Sequence, residues 1–190
     1  EVREHPEDQD CIFDLEIEDT AMFKLEINFL IINDPGSPRY ETDVDVGGRR
    51  TKFATVRRNI PEEIRAMQAG LTPGQVRRGL RLFGNLVPLQ DMVIVEPLAY
   101  NNAIVFEDYG FNYIRGRRRM EEINEGFQPG GELFRRLDGS TPFRQPGMEK
   151  TVRGRSWAIH DGILDEPWRG VEMYRTQQHA GICTFPDHTY

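Results

Sequence analysis

Three of the four histidines fall in the last 31 positions, at His160, His179 and His188. Asp161 follows the first directly, and Cys183 and Asp187 stand between the other two. Imidazole is a borderline ligand and a carboxylate offsets part of a cation's charge, so such a set suits Zn or Fe. There is no His-Glu-x-x-His. A site drawn from His160, Asp161, His179 and His188 would need partners from separate segments. The alternative is surface histidines with His160 packed. A second group is cationic: Arg77, Arg78 and Arg81 follow "TPGQ", and "RGRRR" spans 115–119. These arginines suit a phosphate, or they form the solvated faces of helices.

The distribution of charge narrows the choice. Residues 1–46 carry 14 acids against 3 bases, residues 47–119 carry 13 bases against 6 acids, and the whole chain is at −7. A basic middle in an acidic chain fits an anionic ligand bound locally. It argues against bulk nucleic-acid binding, because the overall field repels a polyanion. At 190 residues, 38% hydrophobic and 29% charged, the chain has the composition of a folded domain with a sizeable core. The longest apolar run is "FLII", far short of the roughly 20 residues that cross a bilayer. No leader pattern opens the sequence. The two cysteines, Cys11 and Cys183, form no Cys-x-x-Cys. The expectation is a soluble cytoplasmic protein with reduced thiols, no nucleic acid and no membrane.

The elements that must position these residues follow from periodicity. "CIFDLEIED" and "MFKLEINFLII" alternate apolar and polar residues and predict two strands, with "EDTA" short enough for a hairpin. "ETDVDVGGRRTKFATV" reads as a further extended pair turning at Gly47-Gly48. "IPEEIRAMQAG" and "LTPGQVRRGLRLFGNLV" change to helical period, the second with Thr72 as cap and Pro73 in the first turn. "DMVIVEP" reads as a buried strand ended by Pro97. "LAYNNAIVFEDYG" is a helix stopped by Gly110, and "FNYI" a short strand. "RRRMEEINEGF" and "GELFRRLDG" predict two more helices. Residues 140–155 are turn-rich, the loop "DGSTPFRQPG" at 138–147 suits a lid, Trp157 and Trp168 suit a pocket wall or the core, and "SWAIHDGIL" reads as the last strand.

In order, these elements give an α+β fold: an antiparallel meander, then helix, strand, helix and strand. With "NNAIVFEDYGF" closing the series, the chain resembles the GNAT acetyltransferases over roughly residues 11–115. That family closes with Asn-x-x-Ala-x-x-hydrophobic-Tyr-Glu-x-hydrophobic-Gly-Phe. Counted back from Gly110, Phe106 stands where the family has tyrosine, and Asn102 where it has alanine. The family's pyrophosphate loop, Arg/Gln-x-x-Gly-x-Gly/Ala, is matched at Gly79, while Val76 and Arg81 depart from it. The resemblance implies a GNAT-like core at 1–115, with 116–190 an irregular extension packed on the same domain. It implies acetyl-CoA as cofactor, held by Gln75, Arg77, Arg78, Gly79, Arg81 and Asn102. Backbone N–H groups at the helix start opened by "TPGQ" suit the pyrophosphate. The resemblance also implies a small-molecule or amine acceptor. Glu96, at the end of "VIVEP", is the candidate base, and Tyr109 the candidate substitute for the missing acid.

Overall fold

The computed structural model describes residues 2–3, 5–7, 13–20, 24–32, 92–178 and 180–189. The chain divides into Glu1–Asp14 with Ile31–Gly79, and Leu15–Leu30 with Leu80–Tyr190. The elements below belong to the second unit, except that the outer ends of the first two strands count with the first. The extended pair and the two helices expected between residues 41 and 87 lie outside the described residues.

The architecture is α+β, with a five-stranded mixed sheet. The strands are β1 (Phe13–Thr20), β2 (Lys24–Ile32), β3 (Met92–Val95), β4 (Asn112–Arg115) and β5 (Glu172–Arg175). Their order across the sheet is β1-β2-β3-β5-β4. β2 and β3 run parallel from Lys24↔Met92 to Ile27↔Val95. β5 runs antiparallel to both β3 and β4, between which it is inserted. Val93 has Leu25 as its parallel neighbour and Arg175 on its other side. Val93 and Val95 are buried while Met92 and Ile94 are half-buried, as a strand covered unequally on two faces requires.

Among the described residues, four α-helices accompany the sheet: α1 (Tyr100–Asp108), α2 (Arg117–Gly126), α3 (Glu132–Arg135) and α4 (Val152–His160). α1 ends as its sequence predicts. Phe111 N–H donates to Phe106 O at 3.0 Å and Gly110 N–H to Glu107 O at 2.9 Å, with Gly110 at φ 82°. The rings of Phe106 and Phe111 meet at 5.1 Å across that turn. This is the apolar contact that accompanies such a cap.

The expected strand at "SWAIHDGIL" is instead the second half of α4. Thr151 accepts the Gly154 N–H through its hydroxyl at 2.9 Å and starts the helix. Val152, Arg155 and Ile159 then face the core at helical spacing. The helix closes like α1: Ile163 N–H reaches Ala158 O at 3.1 Å and Gly162 N–H reaches Ile159 O at 2.9 Å. The last strand is β5, "EMYR", of which only Met173 is fully buried. Among the described residues, no helix is long and apolar enough to cross a membrane.

Candidate functional site

β3 carries the chain to a corner where functional groups collect. Its ladder ends at Val95, paired with Ile27 and Met173. β2 continues for five residues more, to Ile32. Glu96 follows β3 and is exposed, Pro97 is buried, and Leu98 is 74% exposed. α1 begins at once. Its N-cap, Ala99, is extended and supplies no side-chain cap, so the first-turn N–H groups are left to other partners. On that turn Asn102 is exposed, while Asn101 accepts the Ser156 hydroxyl at 2.9 Å.

Behind this corner lies a buried polar cluster. Glu107 is 2% exposed. It sits on the same face of α1 as Tyr100, Ala103 and Ile104. Its carboxylate receives the Thr184 N–H at 2.7 Å, the Thr184 hydroxyl at 2.6 Å, and the Tyr113 hydroxyl. Burial raises the Glu107 pKa, against the opposing pull of the Thr184 and Tyr113 hydrogen bonds. Burial also pushes the Tyr100 phenol up to about 12, with Arg155 pulling it back. Both phenols therefore stay protonated at neutral pH, Tyr113 being raised further by burial and by Glu107.

Arg155 is equally buried, at 2% exposed. Its guanidinium donates to Glu149 O at 2.7 Å, to Asn124 Oδ1 at 2.8 Å and to the Tyr100 hydroxyl at 3.4 Å. It lies 3.4 Å from the centre of the Phe185 ring and 5.1 Å from that of Phe127. With these partners the cluster fastens residues 180–189 onto α1 and α4. Ala180 N–H donates to Gly110 O at 3.1 Å, and Val152 N–H to Thr189 O at 2.9 Å.

A pH dependence follows from the raised Glu107 pKa. The folded state holds the Glu107 proton to higher pH than the unfolded chain does. Relative stability is therefore highest below the ordinary value of 4.5 and falls as pH rises through the folded value. Urea titrations of wild type and Glu107→Gln at several pH values are expected to show wild type losing ground to the variant as pH rises from about 4.5 upward. A difference independent of pH would contradict this.

The expected site residues are brought together only in part. Glu96 and Asn102 sit at the same end of α1. Tyr109 caps the other end, half-buried, with its pKa raised by burial and Asp108. Nine helical residues separate the ends by roughly 13 Å. Glu96 and Tyr109 therefore do not converge on one reacting atom. Gln75, Arg77, Arg78, Gly79 and Arg81 lie outside the described residues, as does His179.

His160 and His188 have different neighbours. His160 ends α4, exposed, with its ring 5.8 Å from Trp157. Asp161 accepts from Thr141 Oγ1 at 2.8 Å and from Arg144 Nε at 2.9 Å, and so ties down the loop expected to be a lid. Phe143 of that loop is buried and stacked on Trp157 at 5.3 Å. His188 meets Asp108 Oδ2 at 3.1 Å and Phe185 O at 2.9 Å. Among the described residues, no three His, Cys, Asp or Glu side chains are grouped to hold a metal ion. Cys183 is a free, exposed thiol whose pKa is raised by burial and by Glu107.

Sequence reading did not single out Glu107, Arg155 or Thr184. The available signal was a charge standing within an apolar helical stripe: Glu107 seven residues after Tyr100, and Arg155 between Val152 and Ile159. Compared with known proteins, the chain matches no family model, no curated protein and no solved structure.

Proposed function

We propose that the chain is an acyltransferase of the GNAT type that moves an acetyl group from acetyl-CoA to an amine. The observation that carries this reading is the parallel β2–β3 pair of unequal length. The ladder stops at Ile27↔Val95 while β2 runs on to Ile32, and α1 starts, without a side-chain cap, from the end of the shorter strand. Strand edge beyond the end of a ladder offers backbone donors and acceptors to an extended, amide-bearing arm such as that of CoA. An uncapped helix start offers further N–H groups beside it. Asn102 on the first turn adds a polar side chain.

The thioester of acetyl-CoA would supply the activated acyl group. Glu96 takes the proton from the amine nitrogen as that nitrogen bonds to the acyl carbon and the carbon–sulfur bond breaks. The departing sulfur takes its proton from solvent, because Phe106, at the family's tyrosine position, has no hydroxyl to give. The Gly79 segment would receive the pyrophosphate. Calorimetric titration of metal-free protein with acetyl-CoA is expected to give saturable heat that Gly79→Glu abolishes. No heat and no thermal shift at saturating acetyl-CoA would sink the reading.

A second reading is a non-catalytic scaffold that retains the cofactor site. Phe106 favours it, since its ring packs on Phe111 at 5.1 Å as a structural contact. Acetyl-CoA binding without thiol release over a panel of primary amines would select it.

A further inference from the structure

Catalysis at the proposed site depends on where the Glu96 carboxylate points, and the contacts that govern this come from a distant segment. The ladder pairs of β3 stop at Val95. Pro97 has no N–H and confines the residue before it to extended backbone. The path of the backbone that leaves Glu96 is therefore fixed by how the Pro97–Leu98 peptide is held. Trp168 holds it, its indole Nε1–H donating to Pro97 O at 2.8 Å. The indole is itself fixed. The Tyr100 ring stands perpendicular to it at 6.0 Å, and the Arg119 guanidinium lies over it at 5.8 Å. Arg119 also secures the backbone on both sides of Trp168. It donates to Pro167 O at 3.1 Å and to Arg169 O at 2.7 Å, and pairs with Glu166 at 3.1 Å. A continuous set of contacts thus runs from α2, through residues 166–169, to the peptide that follows Glu96.

We infer that Trp168 is a positioning residue for Glu96, fixing the Pro97 carbonyl and so aiming the carboxylate at the acceptor nitrogen. The inference rests on the acyltransferase reading. Trp168→Phe keeps a ring against Tyr100 and Arg119 and removes the N–H donor. Transfer from acetyl-CoA to the best primary amine of the panel would be compared in wild type, Trp168→Phe, Glu96→Gln and the double variant.

The expected result is a kcat about tenfold lower in Trp168→Phe, since small misplacements of a reacting group are costly. The KM and Kd for acetyl-CoA should not change, and the double variant should be no slower than Glu96→Gln alone. A wild-type kcat in Trp168→Phe, or losses that multiply in the double variant, would overturn the inference and leave the acyltransferase reading intact. A parallel loss of acetyl-CoA affinity and melting temperature would mark Trp168 as merely structural and also overturn it. Absence of acetyl-CoA binding by wild type overturns the acyltransferase reading itself, and calorimetry detects it before any variant is made. Binding without turnover removes the role of Glu96 and this inference with it.

Discussion

Gly131→Ala is expected to destabilise the protein by about 3 kcal/mol or more, and Gly130→Ala by only about 1 kcal/mol. The order reverses what backbone angles alone would give. Gly130 is the left-handed residue, at φ 88°, yet a Cβ there meets nothing within 4 Å. Its cost is the intrinsic penalty of that conformation. Gly131 has an ordinary φ of −68°, but a Cβ on it would fall 2.2 Å from Gly126 O and 2.8 Å from Glu125 O. Both atoms are backbone at the end of α2, so no side chain can swing away. The short link that turns α2 into α3 depends on that approach, and Gly131 N–H fastens it by donating to Gln128 O at 2.8 Å. Urea denaturation of the two alanine variants measures the difference. Equal losses, or a larger loss at Gly130, would mean that the close approach yields readily.

Arg155→Ala is expected to cost about 4 kcal/mol, within the range for removing one member of a buried charged network. The substitution leaves the Glu149 carbonyl, the Asn124 amide oxygen and the Tyr100 hydroxyl without a donor they now share. It also opens a gap beside Phe127 and Phe185, from which the guanidinium lies 5.1 Å and 3.4 Å. Arg155→Lys keeps the charge and part of the stem but loses the planar fork, and should recover at most half of the loss. Chemical denaturation gives the stabilities, and amide exchange at Thr184 gives the local consequence. That amide is held by Glu107 in the segment Phe185 anchors, so its protection should fall in Arg155→Ala. A loss below about 1 kcal/mol would show that water satisfies these groups as well as the guanidinium does.

Much of the sheet-and-helix order was legible because its causes are local. The continuous apolar run at Met92–Val95, the helix over "YNNAIVFED" and its stop at Gly110-Phe111 each depend on neighbours a few residues away. The same closing device is present in "IHDGI", but "SWAIHDGIL" alone reads as a strand because the cap at Thr151 and the start of the buried stripe at Val152 and Arg155 lie upstream of it. A reading by pattern assigns charge to solvent, and Arg155 and Glu107 break that rule because each finds hydrogen-bond partners that include residues far along the chain. Glu107 and Thr184 are 77 residues apart, and Arg155 and Tyr100 are 55 apart. Nothing local to either charged residue announces the distant partner. The place of β5 was hidden for the same reason: "EMYR" is four residues long and acquires its meaning from Val93–Val95 and Asn112–Arg115. Of the expected site residues, the strand and helix patterns put Glu96 and Asn102 at one end of α1, as the structure does. Tyr109 caps the opposite end of α1 from Glu96, a separation that position along the chain does not convey.

The position of β5 between β3 and β4 governs the order of assembly. As the chain emerges from the ribosome, β3, α1 and β4 appear long before the strand that joins them. Until residues 172–175 arrive, β3 and β4 have an open slot between them rather than a shared ladder. Glu107 meanwhile lacks the donors that Thr184 later brings. Nascent chains halted before β5 therefore present two bare strand edges and a carboxylate without its Thr184 donors, which favours solvation and sticking over packing. Completion is a late closure over long sequence separation, and such closures are slow. The final strand and the segment after it thus act as the latch of the sheet, and the native state is reached only when they have been made.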